Sequence, residues 1–364
     1  MSNKLKVGIV GCGFIAKKRH IPRFMELKNE VDVRAVCDRN ESFAQQTAAE
    51  YGISGIYHDF TEMLSREDLD LIDICTPPQM HAPLALEGME HGSHILMEKP
   101  MALRVSDCDQ MINVSRDNGV KLCIIHNMLF FPPLLKAKKL VAQGAIGDFI
   151  GMRIFISDPS DNALLKKEDW AHTLPGGVLE ESVSHPVYLS LAFLDRVENV
   201  DIWAKNFLEH PWAPFDEFRI ELEGEKAISS IVKSYASNSW AAYIDILGTE
   251  GVLHLDLHSM LLIYHKRKTS LKPLPLARYS LSDASQIVRG VAANAFKVMT
   301  GRAKLGQDII IERFVDSILN HSQPPVTGEE GREAIRVTEM ITEKLYKKYG
   351  DSHLKYQKVE DQKK

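Results

Sequence analysis

The sequence predicts an α/β protein: an N-terminal domain on a doubly wound parallel sheet, then a C-terminal α/β domain with an open, largely antiparallel sheet. Three observations predict it. Short Val- and Ile-rich runs alternate with helically spaced segments through the first third of the chain, the pattern of parallel βαβ units with right-handed crossovers. The first of these runs enters a glycine-rich turn beginning at Gly11. After about residue 126 the rhythm changes to alternating strands with few helices between them, which reads as an antiparallel meander.

In chain order, strands are expected at 6–10, 31–37, 56–57, 69–75, 93–97 and 120–126, with helices over 42–51, 81–91 and 105–118. β-Branched residues dominate these strands because they pack well on a pleated surface. In the second half, 149–157, 199–207, 217–223 and 227–235 read as strands. Residues 241–247 and 252–257 form a hairpin about Gly248-Thr249-Glu250-Gly251, and 258–265 adds another strand. Helical patterns at 308–320 and 329–348 close the fold, and the charged stretch 355–364 is expected to fray. The expected organisation is a nucleotide-binding domain at 1–125, a second domain at 126–350 and a charged tail at 351–364.

Composition bounds the function. The chain has 364 residues, enough for two domains, and its 45% hydrophobic and 26% charged content is that of a soluble globular protein. A net charge of −5 argues against nucleic acid as a partner. No run of apolar residues is long enough to span a bilayer, so no membrane partner is expected. The apolar run at 7–10 is too short for a signal-peptide core. The five cysteines are odd in number and widely spaced, suggesting neither a disulfide framework nor a metal site, and a reducing cytoplasm is the natural compartment.

The first strand runs into Gly11-Cys12-Gly13-Phe14-Ile15-Ala16, a GxGxxA pattern. Such a turn is tight at its first glycine, lets pyrophosphate approach backbone at the second, and seats a small residue where helix meets strand. The helix that follows presents free N–H groups and its positive end to phosphate. The second strand ends at Asp38, 22 residues after Ala16, where a carboxylate accepts from ribose hydroxyls; the alternative is a cap for the next helix. Asp38 repels a 2′-phosphate and favours NAD. Arg39 can stack on adenine or pair with that phosphate, which leaves NADP possible. Lys17-Lys18-Arg19-His20 reads as a solvated helix face, or as added attraction for pyrophosphate. The first domain is therefore expected to be a dinucleotide-binding Rossmann domain.

With these motifs stand Cys75-Thr76-Pro77-Pro78 and His81, Glu98-Lys99-Pro100, and Gly176-Gly177 with Glu181 and His185. In this order they span most of the chain, and the sequence resembles the Gfo/Idh/MocA family of nicotinamide-dependent sugar and cyclitol oxidoreductases. The resemblance implies a Rossmann domain followed by a substrate-binding domain whose open sheet joins subunits into homodimers or homotetramers. It implies NAD as cofactor and a small sugar-like substrate. Gly11, Gly13, Phe14, Ile15, Asp38, Arg39, Thr76, Pro77, His81, Glu98, Lys99 and Asn127 are then the candidate cofactor contacts, with His81 either touching cofactor or capping the next helix.

Lys99, His185 and Glu181 are the candidate catalytic residues. A lysine at the C-terminal end of a strand in a doubly wound sheet lies at the ligand crevice. There it donates to the substrate hydroxyl and stabilises alkoxide character as hydride leaves, while Glu98 braces it. His185 is the candidate general base. The family places an Asp four residues before this His; here that residue is Glu181, and its neighbour Glu180 leaves the register open by one. Because Pro186 cannot sit deep in a helix, Ser182 is the expected N-cap, putting Glu181 and His185 at a helix start. Leu129 replaces a family Arg after Asn127, and Tyr188 stands where many relatives carry an acid. Trp170 and His172 read as pocket walls or core. The function expected is oxidation or reduction of a secondary alcohol on a sugar, nucleotide sugar or cyclitol. The alternatives are a non-catalytic NAD-binding regulator and a reductase of a non-sugar substrate.

Overall fold

The computed structural model describes residues 4–160, 165–174, 176–237 and 239–361, with the side chains of 170, 173 and 351–361 outside the description. The chain divides into two compact units. One is Met1–Phe130 with Lys304–Arg336, the other Phe131–Ala303 with Val337–Lys364.

In the first unit, β1 (Leu5–Val10), β2 (Val31–Cys37), β3 (Gly55–Tyr57), β4 (Leu71–Ile74), β5 (His94–Met97) and β6 (Leu122–Ile124) form one parallel sheet. Its order is β3-β2-β1-β4-β5-β6, so the winding reverses between β1 and β4, the position where such sheets bind ligands. Val7, Ile9, Ile72, Ile74 and Leu96 are fully buried, as strands covered on both faces must be. The helices are α1 (Ile21–Glu26), α2 (Glu41–Tyr51), α3 (Phe60–Arg66), α4 (His81–Glu90) and α5 (Val105–Asp117). A π-helical turn, Ala16–His20, leads into α1. The Asn40 side chain accepts from Ser42 N at the start of α2, which ends at Gly52 in the left-handed region, φ 68°.

In the second unit, α6 (Pro132–Ala142) precedes β7 (Phe149–Ser157) and α7 (Val178–Leu191). Then follow β8 (Val197–Lys205), β9 (Glu217–Gly224), β10 (Ile228–Ser234), β11 (Ala241–Gly248), β12 (Gly251–Asp256), β13 (Leu261–Lys266) and α8 (Pro273–Met299). The sheet order is β13-β12-β11-β7-β10-β9-β8. Only the β7–β10 pairing is parallel; the other pairings are antiparallel. Alternate residues point inward: Met152, Ile154, Ile244, Ile246, Leu253 and Leu255 are all buried. Gly248 pairs with Gly251 across the β11–β12 turn, and a Cβ on Gly248 would lie 2.3 Å from Ile146 O, so only glycine fits.

The remaining helices are α9 (Gly306–Leu319) and α10 (Gly328–Asp361). The segment 304–336, which the sequence pattern runs on with the second domain, belongs to the first unit. There Ile310, Ile311, Phe314 and Val315 are buried, and Glu312 pairs with Arg23 at 2.9 Å. The 351–361 part of the expected tail continues α10, and 362–364 lie outside the described residues.

The sequence pattern gives no bounds for α1 and no helix at α3 or α6, and two further differences bear on the second unit. The helix expected with Ser182 as its N-cap begins five residues earlier, at Val178, with Gly177 at the cap position (φ 59°) and Pro186 inside it. The sequence pattern also gives no element across residues 266–307, where α8 runs for 27 residues.

Candidate active site

Because the first sheet is all parallel, the C-terminal ends of its strands share one edge, and the sequence motifs follow them in turn. Gly11 follows β1, Asp38 follows β2, Cys75–Thr76 follow β4, Glu98–Lys99 follow β5 and Asn127 lies just beyond β6. Backbone hydrogen bonds carry the sheet past the strand ends: Gly11 N donates to Cys37 O (2.8 Å), Cys75 N to Val10 O (2.7 Å) and Glu98 N to Ile74 O (3.0 Å).

Gly11 has φ 94°, and a Cβ there would meet Cys75 O at 2.7 Å. Both the conformation and the close approach require glycine. Gly13 is exposed, with nothing within 4 Å of a Cβ position, so its backbone is open to a phosphate. Phe14 is 77% exposed and Ile15 half-buried, while Ala16 is fully buried against the sheet. The Asp38 carboxylate accepts from Cys12 N and Asn40 N, each at 2.8 Å, which orients it beside the glycine turn. Asn40, not Asp38, caps α2. Arg39 is exposed.

His20 departs from the sequence reading. Rather than lying on a solvated face, it is fully buried. Its Nδ1 lies 2.9 Å from Asp73 Oδ2 and its Nε2 lies 3.1 Å from Glu98 Oε1. Burial disfavours the imidazolium, yet the charge of Asp73 and contact with Cys75 hold the pKa well above the ordinary value. Burial would likewise raise Glu98, but the hydrogen bond and charge of His20 outweigh it and keep the carboxyl below its ordinary range. The other Glu98 oxygen accepts from Lys99 N at 3.1 Å. Lys99, half-buried, thus leaves the strand from a fixed base, and the Lys99–Pro100 peptide is cis. Nothing in a single sequence pairs His20 with Asp73, 53 residues away.

His81 opens α4, fully buried, with Nδ1 2.8 Å from Pro100 O and Nε2 2.8 Å from Thr76 O. It braces the loop after β4 against the Glu-Lys-Pro loop, and burial keeps its pKa below the ordinary imidazole value. Its ring is held by two protein carbonyls, and it makes no side-chain cap to α4. Thr76 Oγ1 is buried with no hydrogen-bond partner. A buried orphan hydroxyl is costly unless a ligand satisfies it. Together with open Gly13 and oriented Asp38, it fits a dinucleotide. Asn127 and Leu129 are buried in the turn beyond β6.

In the second unit, Glu180 is buried and its Oε2 accepts from Gly176 N at 2.6 Å, closing the Gly176–Gly177 turn onto the first turn of α7. Burial raises its pKa, opposed by that same bond. Glu181 is instead the residue on the face of His185. Along Val178–Ser190 every other residue is buried, and only Glu181 and His185 are half-exposed, one helical turn apart. Glu181, not Glu180, therefore shares the half-exposed face of His185. The helix start at Val178 also moves His185 to the eighth residue of α7, away from the N-terminal dipole. His185 Nδ1 lies 2.7 Å from Tyr188 Oη, with the rings edge to face. Tyr188 itself is 2% exposed and acts as a support for His185. His172 Nε2 lies 3.1 Å from Lys166 O, and the Trp170 side chain falls outside the described residues.

Residues 5–126 match the oxidoreductase family with an NAD-binding Rossmann fold, and residues 134–254 match the GFO/IDH/MocA C-terminal domain. The chain belongs to the Gfo/Idh/MocA family. It is an NAD(P)-dependent oxidoreductase, and its first unit is the NAD-binding domain. It is similar to the uncharacterized oxidoreductase YrbE of Bacillus subtilis, 24% identical and covering 95% of both chains. It is also similar to the dTDP-3,4-didehydro-2,6-dideoxy-alpha-D-glucose 3-reductase of Streptomyces violaceoruber, 25% identical over 69% of this chain and 72% of that one. Among solved structures, the WlbA dehydrogenase of Bordetella pertussis in complex with NADH and UDP-GlcNAcA has a TM-score of 0.76 at 21% identity. That alignment covers 94% of this chain and 96% of the other. Among the described residues, no helix is long and apolar enough to cross a membrane.

Proposed function

We propose that this Gfo/Idh/MocA enzyme oxidises or reduces a secondary alcohol carbon on a sugar, nucleotide sugar or cyclitol, with NAD as cofactor. The observation that carries the proposal is the Glu181–His185 pair, the two polar side chains that α7 leaves half-exposed on an otherwise buried stretch. The Streptomyces relative, named as a reductase of a dTDP-linked sugar, supports the substrate class.

When bound, the nicotinamide supplies the hydride acceptor or donor. Lys99 donates to the reacting oxygen and stabilises its developing negative charge. Glu98, locked by His20, holds the backbone from which Lys99 projects. His185 takes the hydroxyl proton in the tautomer whose Nδ1–H donates to Tyr188 Oη, which leaves the Nε2 lone pair as the base. Glu181 orients the substrate or the imidazole. Thr76 and Asp38 hold the two riboses, and Gly11 and Gly13 admit the pyrophosphate. The subunits assemble through the outer face of the second sheet.

The test follows NADH absorbance with NAD and a panel of free sugars, inositols and nucleotide sugars, using wild type and Lys99→Met together. Turnover by wild type alone is expected. Equal turnover by both proteins removes Lys99 from the mechanism. NAD binding with no turnover on any compound favours a regulator on the same scaffold, a reading to which Glu181 and Leu129, in place of the family Asp and Arg, lend weight.

A further inference from the structure

Helix α8 is turned inside out. Its half-buried residues are mostly polar or small, Pro275, Leu276 and Tyr279 near its start excepted, and it attaches to edge strand β13 by side-chain amides and a carboxylate. Gln286 accepts from Tyr264 N (2.9 Å) and donates to Tyr264 O (3.1 Å), completing the edge of the sheet. Asp283 Oδ2 lies 3.0 Å from His265 Nδ1, and Asn294 donates to Ser259 O and Met260 O. Gly290 lets Leu261 approach. The apolar residues take the opposite face. Leu274, Leu281 and Val288 recur at seven-residue steps, with Val291, Phe296 and Met299 beside them, and all six are exposed. Leu281 is 69%, Val288 68% and Phe296 60% exposed, and none of the 27 helix residues is buried. A helix that merely packed on its own domain would present the reverse pattern.

Charge identifies the occupant. Residues 266–303 hold eight of the chain's 44 Lys and Arg, of which Arg267 pairs with Glu250, but one of its 49 Asp and Glu, a net +7. The rest of the chain carries −12. On α8 itself Arg278 and Arg289 are exposed and flank the apolar stripe. Two copies of this helix would bring like charges together. A basic amphipathic helix with its apolar face outward matches the surface of an anionic bilayer, where the stripe enters the headgroup boundary and the cations meet lipid phosphates.

We propose that α8 docks this enzyme on anionic lipid surfaces, lying in the interface without spanning it. The site is remote in sequence from the cofactor motifs, so NAD binding reports folding independently. The experiment is co-sedimentation of the full-length protein with vesicles of phosphatidylcholine alone and of phosphatidylcholine mixed with phosphatidylglycerol. Wild type is expected to pellet with the mixed vesicles, to be released by salt, and to stay in solution with the neutral ones. Leu281→Glu/Val288→Glu should weaken partition at least about tenfold, and Arg278→Glu/Arg289→Glu should weaken it on anionic vesicles, while both variants bind NADH as wild type does. Three results each overturn the proposal: wild type left in solution with anionic vesicles, equal pelleting on neutral vesicles, or pelleting unchanged in Leu281→Glu/Val288→Glu. If wild type binds no vesicle and light scattering shows an oligomer that Leu281→Glu/Val288→Glu divides, the occupant is a second copy of the chain.

Discussion

His20 supports Glu98 from beneath the crevice: its Nε2 stands 3.1 Å from Glu98 Oε1, and the second oxygen of that carboxylate holds the backbone N–H of Lys99. With Asp73 on the other ring nitrogen, one buried imidazole ring lies between two buried carboxyl groups, whose charge favours its protonated form.

Removing the imidazolium leaves the carboxylates buried and unpaired, so His20→Gln should cost about 3–5 kcal/mol. Urea denaturation measures the loss. The effect is pH-dependent. A histidine whose folded pKa is raised contributes its full stabilisation below the unfolded value, ordinarily about 6.5, and loses it as pH climbs through the higher folded value. Glu98, held low, contributes above its unfolded pKa and loses that contribution as pH falls. The stability gap between wild type and His20→Gln should therefore narrow on the alkaline side. A gap that is constant with pH would mean that His20 is neutral in the fold.

Neighbouring glutamates in α7 should separate cleanly. Glu180→Ala removes the acceptor of Gly176 N and should lower stability by about 1–3 kcal/mol. Glu181→Ala removes a half-exposed side chain, so stability should change by no more than about 0.5 kcal/mol while kcat falls. Thermal melts and kinetics on the same two variants check this, and the reverse pattern would exchange their roles.

Lys99→Met should lower kcat by about two to three orders of magnitude, the size expected for losing a donor at a developing oxyanion. NADH affinity, measured by fluorescence titration, should stay within a few-fold. A parallel loss of NADH affinity would make Lys99 a cofactor ligand first.

Asp38→Ala should weaken NAD by about ten- to a hundredfold, since hydrogen bonds to a charged group are lost. NADP should weaken less, because the repulsion of a 2′-phosphate disappears with the carboxylate. Titrating both nucleotides gives the ratio, and an unchanged ratio would remove Asp38 from the ribose.

The first sheet was legible because each of its signals is local. The Val-rich run 31–37 is strand β2 to the residue, and the expected strand 149–157 is β7. Gly11, Gly13 and Ala16 report one turn by their spacing, and Gly11 takes the positive φ and close contact that only glycine tolerates. The same locality misplaced the start of α7. Pro186 argues against a helix at short range, but the Glu180–Gly176 bond and the burial of eleven residues along α7 outweigh one missing N–H.

By itself the sequence placed Gly11, Asp38, Thr76, Lys99 and Asn127 at or just beyond the ends of separate strands, because each motif is tied to its own strand; the order of those strands in the sheet, with Asp38 outside Gly11, came from the fold. The sequence could not determine which side chains meet from distant segments. Only the tertiary structure decided that His20 joins Asp73 to Glu98, that Glu180 is structural while Glu181 faces out, and that residues 304–336 return to the first unit. It also decided that α8 turns its apolar stripe outward. Hydrophobic periodicity shows that a helix has two faces, but which face is buried depends on what the rest of the chain packs against it.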